Sequence, residues 1–171
     1  MKTKFFLLVV LFVLAVSVNA QTKAKAAAKD TKGFVIGAGA MVGLPVGDYT
    51  SIESLAYGVD LMGEISVAPS FAITVSAGYL DFAKKSGFSA AKMGMIPVLA
   101  GAKINFSDKL YGSAQAGLSF STASGGGSAF TYAPGIGLKI SDKFDLLLKY
   151  QAASKNSATN AFLGLRAGLT F

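Results

Sequence analysis

The chain has 171 residues, enough for one domain, and 52% of them are apolar while only 15% are charged. It holds no Cys, His or Trp, which excludes disulfide frameworks, thiolate metal sites and lipid attachment at an N-terminal Cys, and removes the usual base of serine and cysteine hydrolases. Most of the net charge of +7 sits in the first 32 residues; beyond them ten basic residues stand against eight acidic ones, so no basic stripe points to nucleic acid.

Residues 1–20 read as a secretory signal. Lys2 and Lys4 form a charged start, residues 5–16 are an almost wholly apolar run, and Val18-Asn19-Ala20 places small residues at −3 and −1 of a cleavage site before Gln21. The run is shorter than the ~20 residues that a spanning helix needs. Residues 21–32, rich in Ala and Lys, read as a solvated linker.

Eight strand-like segments follow, at 33–43, 55–67, 71–82, 92–106, 110–121, 129–140, 144–151 and 161–171. The final one alternates without a break: Ala161, Leu163, Leu165, Ala167, Leu169 and Phe171 share one parity, and Phe162, Gly164, Arg166, Gly168 and Thr170 the other. The connections are expected to alternate in length. Residues 68–70, 107–109 and 141–143 read as tight turns, and 44–54, 83–91, 122–128 and 152–160 as longer loops. That alternation, with an even strand number, predicts an all-β fold: an eight-stranded antiparallel up-and-down transmembrane β-barrel with both termini periplasmic.

Height and parity then sort the aromatics. On the apolar parity, Phe34, Phe71, Phe106, Phe144 and Phe171 fall at the tight-turn ends, and Tyr57, Tyr79, Phe120, Tyr132 and Tyr150 at the long-loop ends. Two aromatic rings flanking an aliphatic band are the girdles of a membrane barrel. The other parity is small and polar, as a narrow, filled interior requires. It carries Asp60, Glu64, Lys103, Lys139, Asp145, Lys149 and Arg166, which must pair or reach water. Symmetry about the last tight turn sets Lys139 opposite Asp145 and predicts an ion pair; Glu64 is expected to find Lys103 or Arg166. Pro97 and Pro134 fall inside strands of a sheet without edges, which predicts bulges or irregular pairing there.

The chain resembles the small outer-membrane β-barrel proteins of Gram-negative bacteria, in the broad OmpA/OmpX-like group. The likeness rests on the signal segment, on Leu44-Pro45-Val46-Gly47-Asp48-Tyr49, on residues 96–106 from Ile96-Pro97-Val98 to Asn105-Phe106, and on the terminal Phe171. It implies residence in the outer membrane, outer-membrane lipid as surroundings, and recognition of Leu169 and Phe171 by the barrel-insertion machinery. An envelope or secretion partner is left open.

Catalytic and cofactor motifs do not develop. Residues 37–43 approximate a dinucleotide loop but have one residue too many and no following helix, and Gly125-Gly126-Gly127 lacks the Lys-Ser/Thr of a phosphate loop. Asp60 and Glu64 share a face, but four residues of rise set them about 13 Å apart, too far for a glycosidase pair. No cofactor, no metal and no enzymatic activity are expected. The leading expectation is a structural or surface-interaction protein. The alternatives are a narrow pore for ions or small solutes lined by Asp60, Glu64, Lys103 and Arg166, and a secreted soluble barrel that holds an apolar ligand inside.

Overall fold

The computed structural model describes residues 33–48, 50–85, 94–123, 125–156 and 158–171. The expected signal and linker lie outside the described residues. Eight strands close into one antiparallel barrel in sequence order: β1 (Phe34–Gly47), β2 (Glu53–Ala68), β3 (Phe71–Lys84), β4 (Met95–Asn105), β5 (Leu110–Ser121), β6 (Ser128–Lys139), β7 (Phe144–Lys155) and β8 (Ala158–Thr170). The ladder between β1 and β8 seals the sheet from Gly37↔Thr170 to Gly47↔Asn160.

The tight turns are where the sequence places them, and two share one construction. The hydroxyls of Ser107 and Ser141 accept hydrogen bonds from the amides three residues on, Leu110 at 3.0 Å and Phe144 at 3.1 Å. A serine at the first turn position therefore fixes each reversal through its own side chain.

The loop ends differ from the expectation. Apart from β4 at 11 residues, the strands run 12 to 16 residues and exceed the ~9–11 of a bare crossing, and the excess lies on the long-loop side. The supposed long connection at 152–160 is mostly ladder: β7 and β8 pair up to Lys155↔Ala158. Asn156 turns the chain at φ 49°, a left-handed conformation that Asn tolerates and a two-residue hairpin demands. The Ser154 and Thr159 hydroxyls, 3.0 Å apart, fasten the strands just below it. Above the aromatic ring no apolar alternation is required, so Ala-Ala-Ser-Lys reads as loop although it is strand.

The prolines interrupt the ladder without shifting it. The β3–β4 pairing runs to Ala77↔Val98 and resumes at Leu80↔Met95 in the same register. The β6–β7 pairing skips similarly between Tyr132↔Ala152 and Gly135↔Lys149. Each proline remains paired on its other side, Pro97 with Ser119 and Pro134 with Ala114. The missing N–H costs local ladder bonds, and no bulge forms at either site. The register shifts lie instead at the two ends of β2, between Glu53 and Leu55 and between Ser66 and Ala68.

Parity decides the faces. Val59, Leu61, Val75, Val98, Leu118, Leu148, Leu163 and Leu165 are all exposed on the outer surface. The aromatics follow them outward: Phe34, Phe71, Phe106, Phe144 and Phe171 at the tight-turn end, and Tyr57, Tyr79, Phe120 and Tyr132 at the other. Tyr150 is half-buried because its ring leans on Tyr132, with centroids 6.1 Å apart. Phe130 joins the upper ring, 56% exposed, on the parity of Tyr132. A soluble barrel holding an apolar ligand would need this parity inside, and it is outside.

Candidate functional site: the barrel lumen

All seven charges predicted for the interior face it, drawn from β2, β4, β6, β7 and β8. Their bonding follows a simple geometry. Adjacent strands are about 4.8 Å apart, too close for a long side chain to meet an in-register neighbour head-on, whereas the next strand but one is within reach across the concave wall. The side chain can reach it only where the intervening strand carries little bulk.

Arg166 on β8 shows this most fully. Its guanidinium crosses β1 to grip Asp60 on β2: Nε donates to both carboxylate oxygens at 2.9 Å and Nη2 to Oδ1 at 2.7 Å. The residue it crosses is Gly39, which faces Asp60 on one side and Gly168 on the other. A Cβ at Gly39 or at Gly168 would overlap the guanidinium. The pair is deeply buried, with side-chain exposures of 3% and 8%. A bidentate grip with charge-assisted bonds is the geometry that offsets the desolvation of both ions.

The same rule places the other contacts. The Tyr111 hydroxyl on β5 passes over Gly137 of β6 to donate to the Asp145 carboxylate on β7. Lys103 Nζ on β4 reaches Glu64 on β2 at 2.8 Å, across Ala72 and Thr74 of β3, and lies 4.5 Å from the centre of the Tyr111 ring. Gln115 on β5 crosses Gly101 of β4 to donate to Thr74 at 3.1 Å. Short side chains can bond to the adjacent strand, as Thr131 does to Ser119 at 2.7 Å.

This geometry corrects one expectation. Lys139 does lie opposite Asp145 in the ladder, but no ion pair joins them among the described residues. Asp145 is taken by Tyr111 and, at 3.9 Å, by Arg166. Lys149, only 6% exposed, stands near Asp60 and Arg166 without a direct salt bridge among the described residues.

Toward the long-loop end the lumen turns apolar. Met41, Ala56, Leu80, Phe82 and Phe162 form a buried cluster with Met95 packed against it. The Phe82 and Phe162 rings meet edge to face, 6.2 Å between centroids. Phe162 also lies over glycines: a Cβ on Gly43 would come within 2.7 Å of its ring, and one on Gly164 within 2.8 Å. Tyr111, Phe82 and Phe162 are interior residues that the emphasis on charges passed over. The signal was present in their parity, opposite to that of the girdle aromatics.

No group of three or more acidic residues among the described residues could hold a metal ion. The arrangement pairs charges and fills space.

A family model described as an outer membrane protein beta-barrel domain matches residues 8–171. Among solved structures, the crystal structure of Ail, the attachment invasion locus protein of Yersinia pestis, is similar with a TM-score of 0.58 at 15% identity, covering 81% of this chain and 97% of that one. The N-terminal β-barrel domain of Pseudomonas aeruginosa OprF aligns with a TM-score of 0.53 at 11% identity, over 80% and 97% of the two chains. A de novo designed transmembrane β-barrel aligns with a TM-score of 0.53 at 15% identity, over 80% and 95%. Comparison with curated protein sequences returns no match. At these identities the structures establish a shared fold. The family match spans nearly the whole chain, which therefore belongs to the outer membrane protein β-barrel domain family and is an integral, strand-crossing membrane protein.

Proposed function

We propose that this protein is a non-enzymatic component of a Gram-negative outer membrane with a structural or surface-interaction role. In this reading the signal is cleaved near Ala20. Both termini and the tight turns lie in the periplasm, and the loop ends face outward. Leu169 and Phe171 present the final strand to the barrel-insertion machinery. The observation that carries the reading is the filled lumen. The Arg166–Asp60 and Lys103–Glu64 pairs engage the charges that would have lined a pore. Above them the Phe82–Phe162 contact and its apolar neighbours close the bore. What remains for function is the outer surface and the loop end.

The test is conductance. The mature protein inserted in a planar bilayer is expected to leave it silent under an applied potential. Discrete steps whose selectivity changes in Arg166→Ala would establish the pore reading instead.

A further inference from the structure

Gly125-Gly126-Gly127 has no lysine after it in the sequence, and the fold brings one from elsewhere. Lys155, at the loop end of β7, donates from Nζ to the Gly126 carbonyl at 2.5 Å. The glycines make this approach possible. Gly125 and Gly127 hold φ angles of 77° and 68°, and a Cβ on Gly127 would stand 2.7 Å from the ammonium. A Cβ on Gly126 would overlap the Ser121 hydroxyl in the same way. Ser121 Oγ accepts a hydrogen bond from the Ala123 amide at 3.2 Å, and its own proton finds no acceptor among the described residues. An ammonium has three N–H donors, of which the Gly126 carbonyl takes one. The glycine turn therefore holds a lysine head and a serine hydroxyl side by side, each with a proton to give.

Both groups line a cavity of about 370 Å³ at the loop end of the barrel. Met95, Ala129, Ala153 and Ala158 supply its apolar walls, and Ser128 adds a second hydroxyl. Lys155 is the one charged residue in the lining, and no carboxylate forms a salt bridge with it among the described residues. One side of the cavity thus offers donors and a single positive charge, and the rest offers hydrocarbon contact. A cationic ligand is repelled by Lys155. A dianion such as a phosphate monoester would find one cation for two charges. A wholly apolar molecule would leave the donors without acceptors. A monocarboxylate on a short apolar chain satisfies both sides. Its oxygens accept charge-assisted bonds from Lys155 and a hydroxyl bond from Ser121, and its chain lies on Met95 and the alanines. Apolar walls with a few placed polar groups are the usual make-up of a small-molecule site. We infer that this loop-end cavity is a binding site for the carboxylate of a small, apolar-bodied organic acid. The site does not depend on whether the barrel conducts.

The probe is sodium butyrate, added to the mature protein folded in micelles of an uncharged detergent. Acetate, which has the charge without the chain, and butylammonium, which has the chain with the opposite charge, serve as comparisons at equal ionic strength. The readout is the NMR signal of isotope-labelled methionine methyls, since Met95 lines the cavity and Met62 lies in the tight-turn half of β2. The expected result is a saturable shift of the Met95 methyl with butyrate, without a matching shift at Met62. In Lys155→Gln, which loses the charge and can keep the bond to Gly126, the apparent affinity should fall about tenfold. Absence of a saturable shift overturns the proposal. An equal response to butylammonium would make the cavity merely apolar, an equal response to acetate would make Lys155 an ordinary surface charge, and either overturns it. So does butyrate binding that is undiminished in Lys155→Gln. Should that variant not fold, the comparison of the three salts on the unaltered protein decides the matter by itself.

Discussion

Removing the Arg166 side chain is the sharpest perturbation of the lumen. Arg166→Ala deletes three hydrogen bonds of 2.7–2.9 Å and leaves the Asp60 carboxylate in place with 8% side-chain exposure. Breaking a buried ion pair from one side costs about 3–5 kcal/mol, chiefly because the remaining charge has lost its partner. Two features of this lumen set the value near the lower end. Lys149 stands close enough to Asp60 to relieve part of its charge, and the vacated volume is large enough for water. The expected loss is therefore about 3 kcal/mol. Asp60→Ala should cost a similar amount, since it leaves the guanidinium with Asp145 at 3.9 Å in place of its bidentate partner. The double variant Asp60→Ala/Arg166→Ala removes both charges. Its cost should fall short of the sum of the single losses by about 2–3 kcal/mol. The assay is urea unfolding of the protein folded in lipid vesicles. The readout is the fraction that runs compactly on an SDS gel without boiling. A loss under about 1 kcal/mol for Arg166→Ala, or additivity of the two single changes within about 0.5 kcal/mol, would refute the account of this pair as a strut across β1.

Two further outcomes follow from the faces and the chain end. Leu61→Arg places a charge on the outer surface, where Leu61 is 62% exposed in the aliphatic band; the expected loss in vesicles is about 2–4 kcal/mol, and an unchanged urea midpoint would mean that this surface does not meet lipid. Deleting Phe171, which is 74% exposed and bonded to the barrel through its amide to the Ile36 carbonyl at 2.9 Å, should lower the yield of assembled barrel in cells while refolding in detergent proceeds normally. Equal loss in both settings would make Phe171 a stability residue and not an insertion signal.

The parts of the structure that were legible in the sequence share one physical origin. A strand in a closed membrane barrel has lipid on one side and a narrow lumen on the other, so every second residue reports its face. That is why all seven lumen charges and the girdle aromatics could be assigned from parity. It also explains where the reading stopped. Toward the loop end Gln151, Ala152 and Ala153 are buried in succession, parity no longer separates the faces, and residues 152–155 read as loop although they continue β7. The in-register position of Lys139 and Asp145 was legible from turn symmetry, yet opposition in a ladder does not make an ion pair when a competing partner has better reach.

Sequence by itself determined the strand number, the tight turns, the inside and outside of the sheet, and hence a membrane barrel with a polar, crowded interior. Tertiary structure alone decided who bonds to whom. Arg166 and Asp60 are 106 residues apart and meet only because closure puts β8 and β2 on either side of β1, with Gly39 leaving the gap between them. Local pattern fixes the direction of a side chain, whereas its partner depends on barrel curvature and on the bulk of the strand between, and both exist only once the sheet has closed.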